Sequence, residues 1–239
     1  TNYLLNFLKK ESINCTFFCN GRTAEVYPDL VNKIDRYGHQ IASHGYNHTH
    51  RDKLNDTEFL KDCIKSKNIL EKIVGKEILG YRSPYLSFND KNFISSLNIL
   101  SKAGYLFDSS ITYSLLRNII KFNKSDIERI KTNFSIKPLF SINIFGKGFN
   151  LAGGSIWRLV PSSLIFLLIK YTKNSTSLNF YFHPYEFGRA LNPKRALGGK
   201  ASKLKLFLCF LRWNLGRKKI ENLICRLNKL NDVKFSIYN

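Results

Sequence analysis

The stretch CTFFCNGRTAEVYPDLVNKIDRYGHQIASHGYNHTH, residues 15–50, alternates between the patterns of strands and helices. It begins within the apolar run INCTFF (13–18), which stops at a polar turn and predicts a strand. Next, PDLVNKIDRY (28–37) opens on proline, has apolar residues at helical spacing and is followed by glycine, which predicts a helix. HQIAS (39–43) predicts a second strand. This order predicts a βα unit with parallel strands.

The same alternation extends on both sides of this unit. YLLNFLKK (3–10) predicts a preceding helix, and residues 56–74 predict a long helix with Asp56 as its N-cap and Gly75 beyond its end. A strand, a helix and a further strand are then predicted at EILGYRS (77–83), DKNFISSLNILSKAG (90–104) and YLFDSS (105–110). The fold class is therefore predicted to be α/β with a largely parallel sheet.

The second half of the chain has a less regular pattern. From Arg117 to Asn150 we expect extended segments and loops. A helix is predicted at 162–171, and a strand is predicted at LNFYF (178–182), which ends before His183. Residues 200–239 predict a long basic amphipathic helix. Packing on the domain is the usual fate of such a helix, and docking on a membrane surface is the alternative.

Composition indicates a folded protein with a positive surface. Hydrophobic residues make up 44% of the 239, and 38 Lys and Arg against 17 Asp and Glu give a net charge of +21. Such a surface attracts polyanions, acidic glycans or anionic lipid headgroups. Lysine is spread through the chain without a run of five basic residues or the spacing of a nucleic-acid motif, so specific nucleic-acid binding is not expected.

Cysteine usage and the ends of the chain give weaker indications. The five cysteines are odd in number and form no CxxC pair, so a disulfide framework is not expected. No apolar run reaches the ~20 residues of a membrane-spanning helix. The sequence opens on Thr1 and contains no methionine, which leads us to expect a fragment boundary there.

Polar clusters follow four of the predicted strands. They are SHGYNHTH (43–50), RSPY (82–85), DSS (108–110) and HPYE (183–186). In parallel α/β folds the carboxyl ends of strands converge, so these clusters are candidates for one site. His44 and His48 are candidate ligands of a divalent metal, since neutral imidazole binds zinc and its neighbours. Solvated or hydrogen-bonded histidines are the alternative, because no third ligand lies beside them.

Each remaining candidate has a structural reading beside the chemical one. His183, between aromatic residues and proline, is either a core histidine or a general acid. Arg82 either forms a surface ion pair or orients a carboxylate through forked hydrogen bonds. Asp108 either caps the next turn or tunes a neighbouring histidine. His39, which heads a strand, and His50, among charged residues, are poorer ligand candidates.

Taken in order, these motifs resemble those of one family. Residues 15–50 are similar to the TFF strand, helix and histidine motif of the polysaccharide deacetylases (carbohydrate esterase family 4, chitooligosaccharide deacetylase-like). GYRSPY and YFHPYEF are similar to its arginine-proline-tyrosine and late leucine-histidine motifs. GYRSPYLSF, GYLFDSSI, GGSIWRLVP and YFHPYEFG most resemble the subgroup found with exopolysaccharide and exosortase systems.

The resemblance implies a distorted (β/α) barrel of about seven strands, with the first strand missing here and a C-terminal helical extension. We therefore expect an incomplete deacetylase barrel at 1–190 and a basic helical extension packed on it at 191–239. The family's first motif, which supplies a metal-binding aspartate and the catalytic base, should precede the helix at 3–10. A chain without it is expected to bind metal weakly and to turn over little.

The resemblance also implies a role for each matching residue. His44 and His48 would hold one divalent metal, which we expect to be zinc, with cobalt or nickel as alternatives. His183 would act as general acid on the leaving amine, and Arg82 would orient the base. Asp108 is a looser match to the carboxylate that supports the acid histidine.

Three further residues would shape the substrate pocket. The turn at Pro84 and Tyr85 would offer the Tyr85 backbone N–H to the oxyanion. Phe182 stands where the family usually has a leucine that lines the pocket for the acetate methyl group, which leaves the acyl group open. The implied reaction is N-deacetylation, in which the metal lowers the pKa of a water molecule and polarises the acetamide carbonyl before acetate leaves.

The implied partner is an N-acetylated polysaccharide or oligosaccharide. Peripheral contact with an anionic membrane also fits the basic C-terminal helix, and the oligomeric state is left open. We expect the protein to work in the cytoplasm or on the membrane-associated side of polysaccharide synthesis. The alternatives are a non-catalytic glycan-binding or assembly protein on the same fold, and a membrane-surface or nucleic-acid protein that binds through charge.

Overall fold

The structure is a computed structural model that describes residues 1–131, 134–145, 147–172, 177–188, 202–230 and 233–238. The chain forms two compact units. The sheet unit comprises Asn14–Asn150 and Ser236–Asn239. The terminal unit comprises Thr1–Ile13 and Leu151–Phe235. The predicted division between 190 and 191 falls in a segment outside the described residues and stays a prediction.

A parallel five-stranded sheet forms the centre of the sheet unit. Its strands are β1 (Thr16–Cys19), β2 (Gln40–Ser43), β3 (Gly80–Tyr81), β4 (Phe107–Asp108) and β5 (Ser135–Ile136), in that spatial order. Each strand pairs in parallel with the next one along the chain, as Thr16 does with Gln40. This confirms the predicted parallel α/β fold and places all five carboxyl ends at one edge. Closure into a seven-stranded barrel stays a prediction.

Helices connect the strands and pack on them. In the sheet unit they are α2 (Gly21–Val26), α3 (Pro28–Arg36), α4 (Asp56–Val74), α5 (Phe93–Lys102) and α6 (Tyr113–Lys131). In the terminal unit they are α1 (Asn2–Lys10), α7 (Gly154–Leu159), α8 (Ser162–Thr172), α9 (Lys203–Asn214) and α10 (Arg217–Asn228). No helix in the described ranges is long and apolar enough to cross a membrane.

Helix α4 spans the predicted residues, but its cap differs from the prediction. The N-cap is Asn55, whose side chain accepts a hydrogen bond from Glu58 N, while the Glu58 carboxylate accepts from Asn55 N. Asp56 is therefore the first helical residue, where its charge still favours the positive end of the helix dipole. Gly75 ends the helix in the left-handed region, as predicted.

The expectation of extended segments and loops from Arg117 to Asn150 is wrong in its first part. Helix α6 occupies Tyr113–Lys131 and buries Leu116 and Ile119. Its β-branched and Asn residues have low helix propensity, so packing of this apolar face outweighs local preference. After β5, strands β6 (Ser141–Ile144) and β7 (Lys147–Asn150) form an antiparallel pair.

The C-terminal segment and the late strand also differ from prediction. The single helix expected over 200–239 is two helices, α9 and α10, separated by Gly216 in the left-handed region (φ +70°). Residues 233–238 are not helical. LNFYF forms no continuous strand, and Tyr181 makes an isolated parallel bridge to Gly153.

Candidate active site at the carboxyl ends of the strands

Three predicted site residues lie next to one another at the carboxyl edge of the sheet. His44 follows β2, Arg82 follows β3, and Asp108 ends β4. His44 N donates to Cys19 O at 2.8 Å and Arg82 N donates to Ser43 O at 2.9 Å. These bonds extend the sheet ladder past the strand ends, so the backbone that carries both side chains is fixed.

The two candidate metal ligands face each other. The ring centroids of His44 and His48 lie 4.9 Å apart at an interplanar angle of 68°. His44 Nδ1 lies 2.7 Å from the carbonyl oxygen of Arg82. A carbonyl only accepts, so Nδ1 carries the hydrogen and the lone pair of the neutral ring is on Nε2, which is the tautomer that ligates a metal. This tautomer is compatible with the predicted role of the pair as ligands of a divalent transition metal, and metal binding stays a prediction.

A carboxylate from α4 holds the histidine loop. Asp62 Oδ2 accepts from Tyr46 N at 2.8 Å, and Asp62 Oδ1 accepts from Asn47 N at 3.3 Å. Both donors lie between His44 and His48, so Asp62 fixes the backbone that separates the two rings. We did not identify Asp62 from the sequence, where it is one of several charged residues on the helix.

The loop also depends on an unusual backbone conformation. Gly45 has φ +70°, and a Cβ there would lie 3.0 Å from Asp62 Oδ2. His48 itself has φ +56°, a conformation that is uncommon for a non-glycine residue. The Gly45 carbonyl accepts from Gly21 N at 2.9 Å and from Ser66 Oγ at 3.1 Å. These contacts hold the Gly45 backbone in place within the loop.

Arg82 is buried and joins the tips of two strands. Its Nε donates to Ser109 O at 2.8 Å, and Nη2 donates to Ser109 Oγ at 2.7 Å and to Tyr238 Oη at 3.1 Å. The guanidinium also lies 4.0 Å from the ring centroid of Phe18. The side chain thus ties β3 to β4, and the predicted role of orienting a catalytic base stays a prediction.

The Pro84–Leu86 turn sits beside the histidine pair. Pro84 is buried, whereas Tyr85 is 68% exposed and has φ +60°. The Tyr85 ring centroid is 4.6 Å from that of His48, in an edge-to-face arrangement. The turn therefore places an exposed aromatic ring against a candidate ligand, where it limits access from one side.

Asp108 is fully buried and belongs to a chain of short hydrogen bonds. It accepts from Ser110 N at 2.9 Å and from Ser110 Oγ, which in turn accepts from Ser83 N at 2.7 Å. Burial raises the pKa of Asp108 to about 7, against the lowering effect of the Ser110 hydrogen bonds. Its partners here are serines, and the predicted support of the acid histidine stays a prediction.

His183 and Phe182 lie in the terminal unit. Glu186 Oε2 accepts from His183 N at 2.8 Å and lies 3.6 Å from His183 Nδ1. Glu186 is itself fully buried, and its other oxygen lies 3.3 Å from Nη2 of the buried Arg158. The carboxylate next to His183 is therefore Glu186. Two features of the sequence indicate this contact: Glu186 lies three residues after His183 in HPYE, and SIWRLVP contains Arg158, the ion-pair partner of Glu186.

Phe182 belongs to an aromatic cluster in the same unit. Its ring centroid lies 5.0 Å from that of Trp157 and 5.9 Å from that of Phe187, both edge to face. The Trp157 indole is buried and donates to Leu151 O at 3.0 Å. Phe182 thus has a packing role, and a role in lining an acetate pocket stays a prediction.

The two histidines that flank the pair have local structural roles. His39 Nδ1 accepts from Cys15 N at 3.4 Å, and burial lowers the pKa of His39. His50 Nδ1 accepts from Asp52 N at 3.3 Å and caps a short turn. Among the residues with described side chains, no group of three His, Cys, Asp or Glu side chains is arranged to hold a metal ion.

Comparison with known families accounts for both halves of the sequence. Residues 1–107 match the family described as polysaccharide deacetylase. Residues 117–236, half of the chain, match the family described as a domain of unknown function, DUF3473. The chain belongs to the DUF3473 family, whose model matches half of it. Residues 1–107, here called the deacetylase segment, are similar to the polysaccharide deacetylase family. The histidine pair and Arg82 thus lie in the deacetylase segment, and His183 lies in the DUF3473 domain.

Curated relatives match a little over a third of this chain. A peptidoglycan-N-acetylglucosamine deacetylase of Bacillus cereus is 35% identical over 85 residues, which cover 36% of this chain and 31% of the relative. A peptidoglycan-N-acetylmuramic acid deacetylase of Bacillus subtilis is 32% identical over 91 residues, which cover 38% of this chain and 20% of the relative. The matches therefore span a third or less of these two proteins.

One solved structure is similar over nearly the whole chain. It is described as a "putative polysaccharide deacetylase from Mycobacterium smegmatis" and covers 98% of this chain and 72% of its own, with a TM-score of 0.53 and 20% identity. At this identity the likeness concerns the fold alone.

We predict that Asp62→Asn destabilises the fold through the histidine loop. The amide keeps one acceptor and removes the charged acceptor from Tyr46 N or Asn47 N, and because this loop is partly exposed we expect a cost of about 1 kcal/mol in the free energy of unfolding. Urea denaturation of the full-length protein measures this change. The exposed Asp90→Asn is the matched control and should be neutral; equal stability of both variants would contradict the role assigned to Asp62.

We predict that Asp108→Asn changes how stability depends on pH. Because the pKa of Asp108 is raised in the folded state, its proton contributes stability that is fully present below the ordinary pKa and is lost as the pH rises through about 7. From about pH 5 to about pH 8 the wild type should therefore lose about 2–3 kcal/mol relative to the variant. Denaturant titrations at both pH values test this, and parallel profiles would contradict it.

Proposed function

We propose that this protein is a metal-dependent hydrolase that removes N-acetyl groups from a polysaccharide or oligosaccharide. The observation that carries the proposal is the His44 and His48 pair at the strand tips, with the His44 tautomer set by the Arg82 carbonyl. The pair lies in the segment that matches the polysaccharide deacetylase family, and curated relatives of the chain are named as peptidoglycan deacetylases.

The donor set favours zinc, with cobalt or nickel as alternatives, because imidazole nitrogen suits these ions. A bound ion of this kind supplies a nucleophile at neutral pH and polarises the acetamide carbonyl. Catalytic zinc sites have three protein ligands, and the described side chains provide two. We assign the third position to a carboxylate outside the described side chains, as the resemblance to the family implies.

The chain's own groups have the following roles in this proposal. The turn at Tyr85 offers a backbone N–H to the oxygen that gains negative charge. Arg82 holds His44 through its carbonyl and fixes the strand tips through its guanidinium. We assign proton transfer to the leaving amine to His183, with Glu186 as the neighbouring carboxylate that orients the ring.

Two of the supporting observations concern the substrate. The net charge of +21 favours an anionic polymer, because a positive surface concentrates it. The motifs GYRSPYLSF and YFHPYEFG, in their resemblance to the exopolysaccharide subgroup, favour a polysaccharide under synthesis. We therefore propose an N-acetylated exopolysaccharide as the substrate class.

A non-catalytic glycan-binding protein on the same fold is the second candidate. It is favoured by the described side chains, which provide two metal ligands where catalysis needs three. Assays of glycan binding and of acetate release distinguish the two candidates. Binding without acetate release would indicate the glycan-binding protein.

We predict that His44→Ala in the full-length protein abolishes both zinc binding and acetate release from N-acetylated oligosaccharides. Loss of one imidazole leaves too few ligands to hold the ion. Metal analysis of the purified protein and an acetate assay measure the two effects. His50→Ala, whose ring caps a turn, is the matched control and should retain zinc. Undiminished turnover of His44→Ala would rule out the metal role.

We predict a different result for His183→Ala. A general acid contributes about 10²–10⁴-fold to the rate, so kcat should fall by that factor while the zinc content is unchanged. The pH profile of kcat should also lose its basic limb, which a purely structural change would not remove. Loss of zinc from this variant would show that His183 is a ligand and that the assignment is wrong.

A further inference from the structure

Helix α9 exposes an apolar stripe. Leu204, Phe207, Leu208 and Leu211 are 67%, 56%, 55% and 39% exposed. Their spacing of i, i+3, i+4 and i+7 places them on one face of the helix. Large side chains that are exposed together on one face mark an interaction surface, whereas single exposed leucines do not.

The neighbouring helix shows that exposure is specific to α9. Helix α10 has apolar residues at the same spacing, and it buries Ile220, Leu223, Ile224 and Leu227. It contacts α7 and α8 within the terminal unit. Both helices have the amphipathic pattern, but only α10 buries its apolar face within the terminal unit. The stripe on α9 is therefore available to a partner.

Lysines flank the stripe on both sides. Each residue turns an α-helix by 100°, so Lys203 and Lys205 lie one step to either side of Leu204. Their alkyl stems extend along apolar surface while the ammonium groups reach polar surroundings. This arrangement, apolar at the centre and cationic at both edges, is typical of helices that lie in a membrane interface.

The sequence that includes and flanks α9 is basic. Residues 187–220 contain ten Lys and Arg and no Asp or Glu. More widely, residues 117–236 contain 23 Lys and Arg against five Asp and Glu, a net charge of +18 of the total +21. Lysine is spread through the chain, but the acidic residues lie mostly in the first half, so the net charge is concentrated in the second. Such a segment is attracted to the negative surface potential of anionic lipids.

We infer that α9 docks in the plane of an anionic lipid membrane through Leu204, Phe207, Leu208 and Leu211, with Lys203 and Lys205 on the headgroups. A helix of 12 residues is about 18 Å long, which is too short to span a bilayer but suits an interfacial position. A second copy of the chain is disfavoured as the partner, because it would bring two surfaces of the same strong charge together.

Membrane docking would also affect the region of His183. Helix α9 contacts the Pro184–Glu186 turn, which directly follows that residue. The docked helix therefore holds this turn close to the lipid surface. The inference does not depend on the proposed hydrolase activity, since the stripe and the charge would bind lipid in an inactive protein as well.

Vesicle sedimentation of the full-length protein tests the inference. We expect binding to vesicles of phosphatidylcholine with about one third phosphatidylglycerol, weak binding to phosphatidylcholine alone, and weaker binding at high salt. Leu208→Asp places a charge at the centre of the stripe and should lower the partition coefficient about tenfold or more. Lys203→Gln and Lys205→Gln should each lower it about fivefold.

The matched control is Leu106→Asp, an equal change at a leucine that is 50% exposed in the sheet unit, and it should bind like the wild type. Phe207→Asp provides an independent second change on the same stripe. The inference is overturned if the wild type fails to bind anionic vesicles, or if both stripe variants bind them as tightly as the wild type does. Two other outcomes would also overturn it. In the first, the stripe variants change a dimer into a monomer but bind vesicles like the wild type; in the second, they weaken binding to DNA but not to vesicles.

Discussion

The hydrogen bond between His44 Nδ1 and the Arg82 carbonyl connects the two strand tips on which the candidate site depends. It requires β2 and β3 to be parallel neighbours, because only then do the residues after both strands meet at one edge. It also sets the proton on Nδ1 and leaves Nε2 as the donor atom for a metal. The position of the Arg82 backbone therefore sets the tautomer of His44. Asp62 and Gly45 hold the loop that brings His48 next to His44.

Local patterns were sufficient to predict much of this arrangement. The parallel unit at 15–50 and the limits of α4 follow from apolar spacing and capping residues, which act over a few positions. Helix α6 was missed because its stability comes from burial of Leu116 and Ile119, which depends on partners distant in sequence. Asp62 was missed for the same reason, since nothing in a helix sequence shows which carboxylate turns toward a loop.

The two segments of this chain that match different families differ in net charge. Residues 117–236 hold most of the net positive charge, while the deacetylase segment, residues 1–107, has 11 acidic residues against 15 basic ones. Nearly balanced charge would suit the cation that the proposed function places between the two imidazoles. A separate basic region can attract an anionic surface or polymer without raising the potential at that site. The DUF3473 domain thus supplies attraction, and the deacetylase segment supplies the candidate chemistry.

The break at Gly216 separates two helices that differ in how much apolar surface they bury. Helix α10 can open only if its buried apolar residues become hydrated, whereas opening α9 removes little apolar contact from the rest of the chain. We therefore expect a lower free energy of local unfolding for α9 than for α10. Helix α10 also holds the residues after Glu186, since Arg217 donates to Phe187 O and Glu221 accepts from Gly188 N. Opening of α9 would therefore leave these contacts in place.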